Sequence, residues 1–408
     1  LGDHCEGGDD NYDGDSDGIP DDCDVDHALH DGANLVSFFA LPENTEVSNI
    51  FADLGDNANG VIGESVVSAN FGGGNWIGSL TNIVDDSGYW LKVYGDADLQ
   101  TQGLPTGPVT YSLNEGNNLS SYSYAIDQLI GDAIPSGVQS GFYGIAGEGI
   151  AALNVEGNWA GSLEAFEGGK GYWLVANEAL EFSYNEPSRD ELSRTIAKQR
   201  PLPVVPTEYA YAQSQNQSFF FVKNASIEGE ALADDDWVIA YNGDVVVGAR
   251  MWNGEYTDIP AMGNDANNSN TAGYSEKGSY ISFKVYDTSE GKLVDMSLND
   301  GENLWTNNTM TVVSMSDVAL PAEVSLSKAY PNPFNPSTTI SYDVPSDMNV
   351  SLVVYDVRGR MVAELANGVM NAGTHDVIWN AENQSSGLYF MKLVAGNTMK
   401  TQKMMLVK

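Results

Sequence analysis

The sequence predicts a mainly β protein: several small antiparallel β-sandwich or immunoglobulin-like domains in tandem, with two repeated modules that carry one short helix each. Three observations predict it. Forty-three glycines among 408 residues, with frequent Asn and Asp, supply the turns that many short strands require. Apolar residues alternate in short runs, the period of a half-buried strand. From Gly32 to Tyr184 the chain repeats itself at an offset of 83 or 84 residues, which marks each copy as one structural unit.

The divisions, in order, are an acidic segment (1–31), repeat module A (32–108), repeat module B (109–184), a linker (185–215), a β-sandwich (216–322) and a C-terminal immunoglobulin-like domain (323–408). Leu1 in place of Met is expected of a processed product or a piece of a longer precursor. The net charge is −39, from 57 acidic and 18 basic residues, and Lys92 and Lys170 are the only Lys or Arg before Arg189. Such a chain repels phosphate backbones and anionic lipid, so nucleic acid and membrane surfaces are poor partners, whereas divalent cations are attracted. No run of 18 apolar residues exists, so no membrane-spanning helix is expected.

Residues 3–26 contain too many carboxylates to fold around an apolar core without a cation among them. Counted from Asp13, carboxylates fall at loop positions 1, 3 and 5 (Asp13, Asp15, Asp17), Gly18 at 6 and the Ile19 carbonyl at 7, with Asp21 at 9 and Asp24 at 12. Hard oxygen ligands at these offsets, with Gly at the sharp turn, suit Ca²⁺. Position 12 is Asp, and no helices flank the loop, so this is not an EF-hand pair. The run Asp-x-Asp-x-Asp-Gly-x-x-Asp-x-Cys-Asp resembles a thrombospondin type 3 repeat, and Asp3, Asp22 and Asp26 are candidates for a second ion. Gly14-Asp15-Ser16-Asp17-Gly18 has the spacing of a nucleophile elbow but aspartates where a strand and a helix are needed.

In the repeats, Gly32-Ala33-Asn34-Leu35 answers Gly116-Asn117-Asn118-Leu119, and Gly60-Val61-Ile62-Gly63-Glu64 answers Gly144-Ile145-Ala146-Gly147-Glu148. Trp76 and Trp90 answer Trp159 and Trp173. Aromatic rings at matched places are expected to be core, with sugar stacking as the competing reading. Val47, Ile50, Phe51 and Leu54, and then Ile126, Leu129, Ile130 and Ala133, have helical spacing. These units resemble the Gly-x-Asn-Leu-x-Ser repeats of secreted Bacteroidota-type surface proteins, a resemblance that implies no chemistry.

The linker gathers Arg189, Arg194, Lys198 and Arg200 before Pro201-Leu202-Pro203-Val204-Val205-Pro206, an extended stretch expected to lie along a neighbouring domain or subunit as an added strand. In the sandwich, Asn242-Gly243 and Asn253-Gly254 predict two hairpins, and 279–287 a further strand. The loop 263–270 is rich in oxygens but reads best as polar surface. His27 and His30, at i, i+3 beside Asp31, lack a third ligand for a transition metal, and a surface position is the better reading. No phosphate loop and no Cys-His pair outside the acidic segment point to an enzyme.

The C-terminal domain opens Ala329-Tyr330-Pro331-Asn332-Pro333-Phe334-Asn335-Pro336, stiff and extended. Strand signals follow at 338–342, 350–356, 373–380, 387–393 and 400–408, with a turn at Asp356-Val357-Arg358-Gly359-Arg360. This series resembles the C-terminal sorting domain of type IX secretion cargo. The resemblance implies the type IX machinery as a partner, export across a Gram-negative outer membrane, and an extracellular or outer-surface location. In a secreted chain Cys5 and Cys23 read as one disulfide closing the acidic loop; in a reducing compartment they would be free thiols. The expectation is a secreted, calcium-stabilised, non-enzymatic structural or adhesive protein, self-associating, binding surface glycans, or forming the subunit of an extracellular fibre. The competing expectation is the glycan-binding accessory portion of a secreted hydrolase.

Overall fold

The computed structural model describes residues 19–188, 198–266, 268–317, 321, 323–346, 348–370 and 373–408. The described chain is mostly strand, arranged in antiparallel sheets. It falls into two compact units. The first takes in Leu1–Ala225, Ala231–Asp295 and Gly301–Ser314; the second takes in Ser226–Glu230, Met296–Asp300 and Met315–Lys408.

In the first unit the repeat appears as two copies of one sheet. In module A the order is Gly32–Val36, Tyr89–Val93, Ala58–Gly63, Val66–Asn70, Trp76–Gly78. In module B it is Gly116–Ser121, Gly171–Ala176, Phe142–Ala146, Ala151–Val155, Asn158–Gly161. Asp24–Leu29 pairs with Ala97–Gln102, as Tyr111–Leu113 pairs with Leu180–Phe182 in the second copy. Each copy has its own core. Phe38, Phe51, Val61 and Leu91 are buried in one, and Tyr122, Phe142, Phe166 and Leu174 in the other.

The helices are shorter than their spacing predicts. Module A has one α-turn, Val47–Ile50, then a 3₁₀ stretch kinked at Gly55 (φ 52°). In module B only Ile130–Ala133 of the spaced run is helical, because Gln128–Leu129 is held in a pairing with Ala165–Phe166 and Pro135 follows. The apolar spacing still reports burial: Val47, Ile50, Phe51 and Leu54 all face the core.

In the sandwich, Trp237–Asn242 pairs with Val245–Met251 about Gly243 (φ 61°) and with Ile281–Asp287 on its other side. The second expected hairpin does not form. The chain turns at Gly254, but Thr257–Met262 pairs with Gln217–Ile227 instead of its predecessor, Gln217 lying opposite Met262. Asn-Gly fixed the turn but not the partner.

The second unit contains a seven-stranded sandwich. A three-stranded sheet (Ser325–Leu326, Ser337–Val344, Gly373–Asn380) faces one of four (Met361–Met370, Met348–Asp356, Gly387–Ala395, Thr398–Leu406) across a core that includes Phe334, Ile340, Trp379, Tyr389 and Met404.

Candidate functional sites

Of the proposed calcium ligands, Asp13, Asp15 and Asp17 lie outside the described residues, as does Cys5. Ile19 and Asp21 are half-buried, with Asp21 opening the 3₁₀ turn Asp21–Cys23. Asp24 begins the first strand, is buried, and accepts a hydrogen bond from Gln100 Nε2 (2.7 Å) at Oδ2. Cys23 is fully buried, its carbonyl held by Gly103 N–H (2.9 Å). The far end of the acidic loop is thus anchored in module A. Among the described residues no group of three or more His, Cys, Asp or Glu is arranged to hold a metal ion.

The repeated signature lies where the modules meet. Leu35, Leu119 and Trp90 share one buried cluster. The Leu119 N–H donates to Glu64 Oε2 and the Leu35 N–H to Glu148 Oε2, both at 2.9 Å, so each module's glutamate holds the other's first strand. Ser37 Oγ donates to the Lys170 carbonyl (2.6 Å) and Ser121 Oγ to that of Asp85. Asn34 and Asn118 each close a turn on the residue four positions back, His30 and Asn114. In Gly-x-Asn-Leu-x-Ser the Asn therefore shapes the turn, and Leu and Ser engage the other module.

The histidines part company. His27 sits on a strand, buried, not on the surface as expected. Both groups near its Nε2 are carbonyls, Ser37 (3.1 Å) and Gly169 (3.0 Å), so that nitrogen carries the proton. Burial pushes its pKa down to about 4. His30 donates from Nε2 to Glu148 Oε1, and this hydrogen bond, against the cost of partial burial, raises it to about 9.

Module B joins the sandwich through buried polar contacts that sequence reasoning missed. Asp258 accepts from the Ser162 N–H and Oγ (both 2.7 Å), the Ala151 N–H (3.2 Å) and Arg250 Nη2 (3.1 Å). Burial pushes its carboxyl up, against the pull of Arg250 and Ser162. Arg250 also donates to the Gly149 carbonyl (2.7 Å). In the loop 263–270, Asp265 is not surface: it pairs with Lys92 Nζ at 2.7 Å, both side chains buried. Glu64 and Glu148 were visible as a matched pair in the repeat; Arg250, Asp258 and Asp265 had no local signal.

The described part of the linker lies along its neighbours, though as no added strand: 198–206 contains none, and its three prolines offer no N–H to a ladder. Instead Gln199 Oε1 accepts from the Glu164 N–H (2.9 Å), Arg200 pairs with Glu164, and Tyr209 packs with Trp237 and Ile239.

In the C-terminal sandwich the opening motif ties down the last strand. Asn332 Oδ1 accepts from the Met405 N–H (2.9 Å), the Phe334 N–H donates to the Met405 carbonyl (2.9 Å), and the Phe334 ring lies 5.3 Å from Trp379. The Asp356–Arg360 turn is built by Asp356 Oδ1, which accepts from the Arg358 and Arg360 N–H groups, with Gly359 at φ 75°. The motifs that define the tail are thus the joints of a sandwich.

A sandwich with this opening, turn and basic final strand is that of a sorting tail, and such a tail implies a secreted cargo protein. Residues 328–408 match the secretion system C-terminal sorting domain, which implies interaction with the type IX machinery and a surface or extracellular location in Bacteroidota. No curated protein matches the chain. Among solved structures it is similar to a chain in the crystal structure of dimeric latent PorU from Porphyromonas gingivalis, at 13% identity and a TM-score of 0.18. That match covers 81% of this chain but only 36% of the other. Among the described residues no helix is long and apolar enough to cross a membrane.

Proposed function

We infer that the protein is a calcium-stabilised, non-enzymatic structural or adhesive component of the cell surface or extracellular space, serving as a scaffold and, in assembled form, as a fibre subunit. What supports a scaffolding role is the use made of the repeat signature: Leu35, Leu119, Glu64 and Glu148 hold one module to the other. The described histidines are similarly engaged, His27 on carbonyls, His30 on Glu148 and His375 against Tyr342.

Calcium would be held by Asp13, Asp15, Asp17, the Ile19 carbonyl, Asp21 and Asp24, an all-oxygen set suited to a hard cation. The anchoring of Cys23 and Asp24 in module A supports this reading, because the ion would then brace the segment against a folded body. A disulfide from the buried Cys23 to Cys5 would tie the segment to that body a second time. With affinity of about 10⁻⁴ to 10⁻³ M, calcium at a hundredfold excess over Kd stabilises by about 2.7 kcal/mol. Calorimetry on chelator-stripped protein is expected to show calcium uptake and a raised Tm, both lost in Asp15→Asn/Asp17→Asn. Absence of both effects in the unsubstituted protein would remove calcium from the reading.

A glycan-binding accessory role has one observation behind it, an open cleft of about 550 Å³ lined by Trp159, Arg200, Glu164, Asn253, Glu255 and Asp132. Specific retention of the chain on a glycan array, weakened by Trp159→Ala, would favour it over the scaffold.

A further inference from the structure

Beside the cleft that Trp159 lines is a second, smaller cavity of about 180 Å³, and the two share Gly161, Glu164, Arg200, Asn253 and Glu255. Module B contributes Ser162 to it, the linker Pro201, Leu202 and Pro203, and the sandwich Met251 and Tyr256. Much of the lining is therefore apolar. Tyr256 holds a φ of 64°, in the left-handed region, which a bulky side chain enters only under constraint. Its N–H donates to the Val222 carbonyl (2.8 Å), and its side chain packs against the cluster that module B shares with the sandwich. Strained residues of this kind gather at binding sites.

Arg250 and Asp258 also line the cavity, with side chains 8% and 1% exposed. The Asp258 carboxylate is fully used: its two oxygens accept from the Ser162 N–H and Oγ, the Ala151 N–H and Arg250 Nη2. The guanidinium is not. Of its N–H donors, the one on Nε serves the Asp258 carbonyl (3.0 Å), and those on Nη2 serve the Gly149 carbonyl and the Asp258 carboxylate. Nη1 donates to no group among the described residues. A donor on a buried side chain is costly to leave without an acceptor, and a molecule that brings one into the cavity removes the cost.

The charge of the lining decides what kind of acceptor fits. Arg200 and Arg250 are outnumbered by Glu164, Glu255 and Asp258, and the whole chain carries −39, so a carboxylate or phosphate is repelled. The acceptor is therefore uncharged, and the apolar lining calls for a small alkyl group beside it. An acetamido group has both. We propose that the cavity is the subsite for the acetamido group of an N-acetylated sugar whose ring lies in the adjoining cleft, its carbonyl accepting from Arg250 Nη1 and its methyl meeting Leu202, Met251 and Tyr256. Such a subsite presupposes the glycan-binding reading of that cleft and narrows it to a class of sugar. A free amine at this position sets a cation beside Arg250, and a hydroxyl leaves the apolar lining unfilled, so glucosamine and glucose are discriminated against.

Saturation-transfer NMR titrations of the full chain with N-acetylglucosamine, glucosamine and glucose test it. N-acetylglucosamine is expected to bind roughly tenfold more tightly than the other two, with its methyl protons the most strongly saturated. Leu202→Trp, at a linker position 37% exposed, fills the cavity and should erase the preference with an unchanged Tm. Val204→Trp, at a 92% exposed position outside the cavity, should keep it. Trp159→Ala should weaken all three sugars alike. Glucose bound as well as N-acetylglucosamine, or a preference that survives Leu202→Trp, would overturn the subsite and leave the glycan-binding cleft standing. Failure of all three sugars to bind would overturn both.

Discussion

At the scale of the residue, two histidines three positions apart meet opposite fates because His27 lies within the strand Asp24–Leu29 and His30 in the connection that follows it. His27 points into the module and is held neutral; His30 reaches Glu148 and is held charged. The signs of their pH effects follow. His27 has a folded pKa of about 4, below its unfolded value, so its contribution is whole above pH 6.5 and is lost as pH falls through about 4. The full loss is on the order of 3 kcal/mol. His30 has a folded pKa of about 9, above its unfolded value, so its contribution is whole below pH 6.5 and is lost as pH rises through about 9. Its ring is 43% exposed, and solvent screening reduces this to about 1 kcal/mol or less. Denaturant unfolding from pH 4 to 9 should show both flanks. His27→Gln should flatten the acid side and His30→Gln the alkaline side; unchanged flanks would refute the assignments. Sequence spacing showed the pair but not its separation, because nothing local marks the end of the strand between His27 and His30.

At the scale of the element, the Arg250–Asp258 pair decides whether module B and the sandwich hold together. Asp258→Asn leaves a buried guanidinium without its counter-ion, a loss of about 3–5 kcal/mol. Adding Arg250→Met should recover part of it, since no buried charge is then left alone. Chemical denaturation of the single and double variants measures the difference. A single variant as stable as the parent would mean that the carboxylate contributes only hydrogen bonds. Strand recognition from sequence succeeded where alternation was strong, as in Ser337–Val344, with its buried Thr338, Ile340, Tyr342 and Val344. It failed to single out Met361–Met370, whose Ala, Glu and Leu favour helix. That strand is imposed by its pairing with Met348–Asp356, with register shifts at Leu352/Val353 and Val354/Tyr355 that no local signal announces. The helical spacing in the repeats misled for the converse reason: Ile130 and Ala133 were buried as expected and Ile126 and Leu129 partly so, but a sheet pairing claimed Gln128–Leu129 first.

At the scale of the whole molecule, the C-terminal sandwich has a core of its own, centred on Trp379 between Phe334 and Tyr389. Trp379→Ala should cost about 3–5 kcal/mol and lower only one of two calorimetric transitions. Fused to a reporter, residues 328–408 should direct its export, and the Trp379→Ala tail should do so poorly. Retention of the reporter with the unaltered tail would sever this sandwich from sorting. The tail was legible because its motifs are local joints. The docking of module B on the sandwich was not, because Arg250 and Asp258 acquire meaning only when Ser162 and Ala151 arrive from elsewhere in the chain.

The burial of Lys92 against Asp265 bears on survival outside the cell. Enzymes that cut after lysine or arginine find two targets in sequence before Arg189, and one is sealed inside. The other, Lys170, has an exposed side chain, but its backbone is bridged to Val36 and it precedes Gly171, a buried glycine that begins an interior strand of its sheet. A trypsin-like digest should therefore release the first half of the polypeptide as one long-lived fragment.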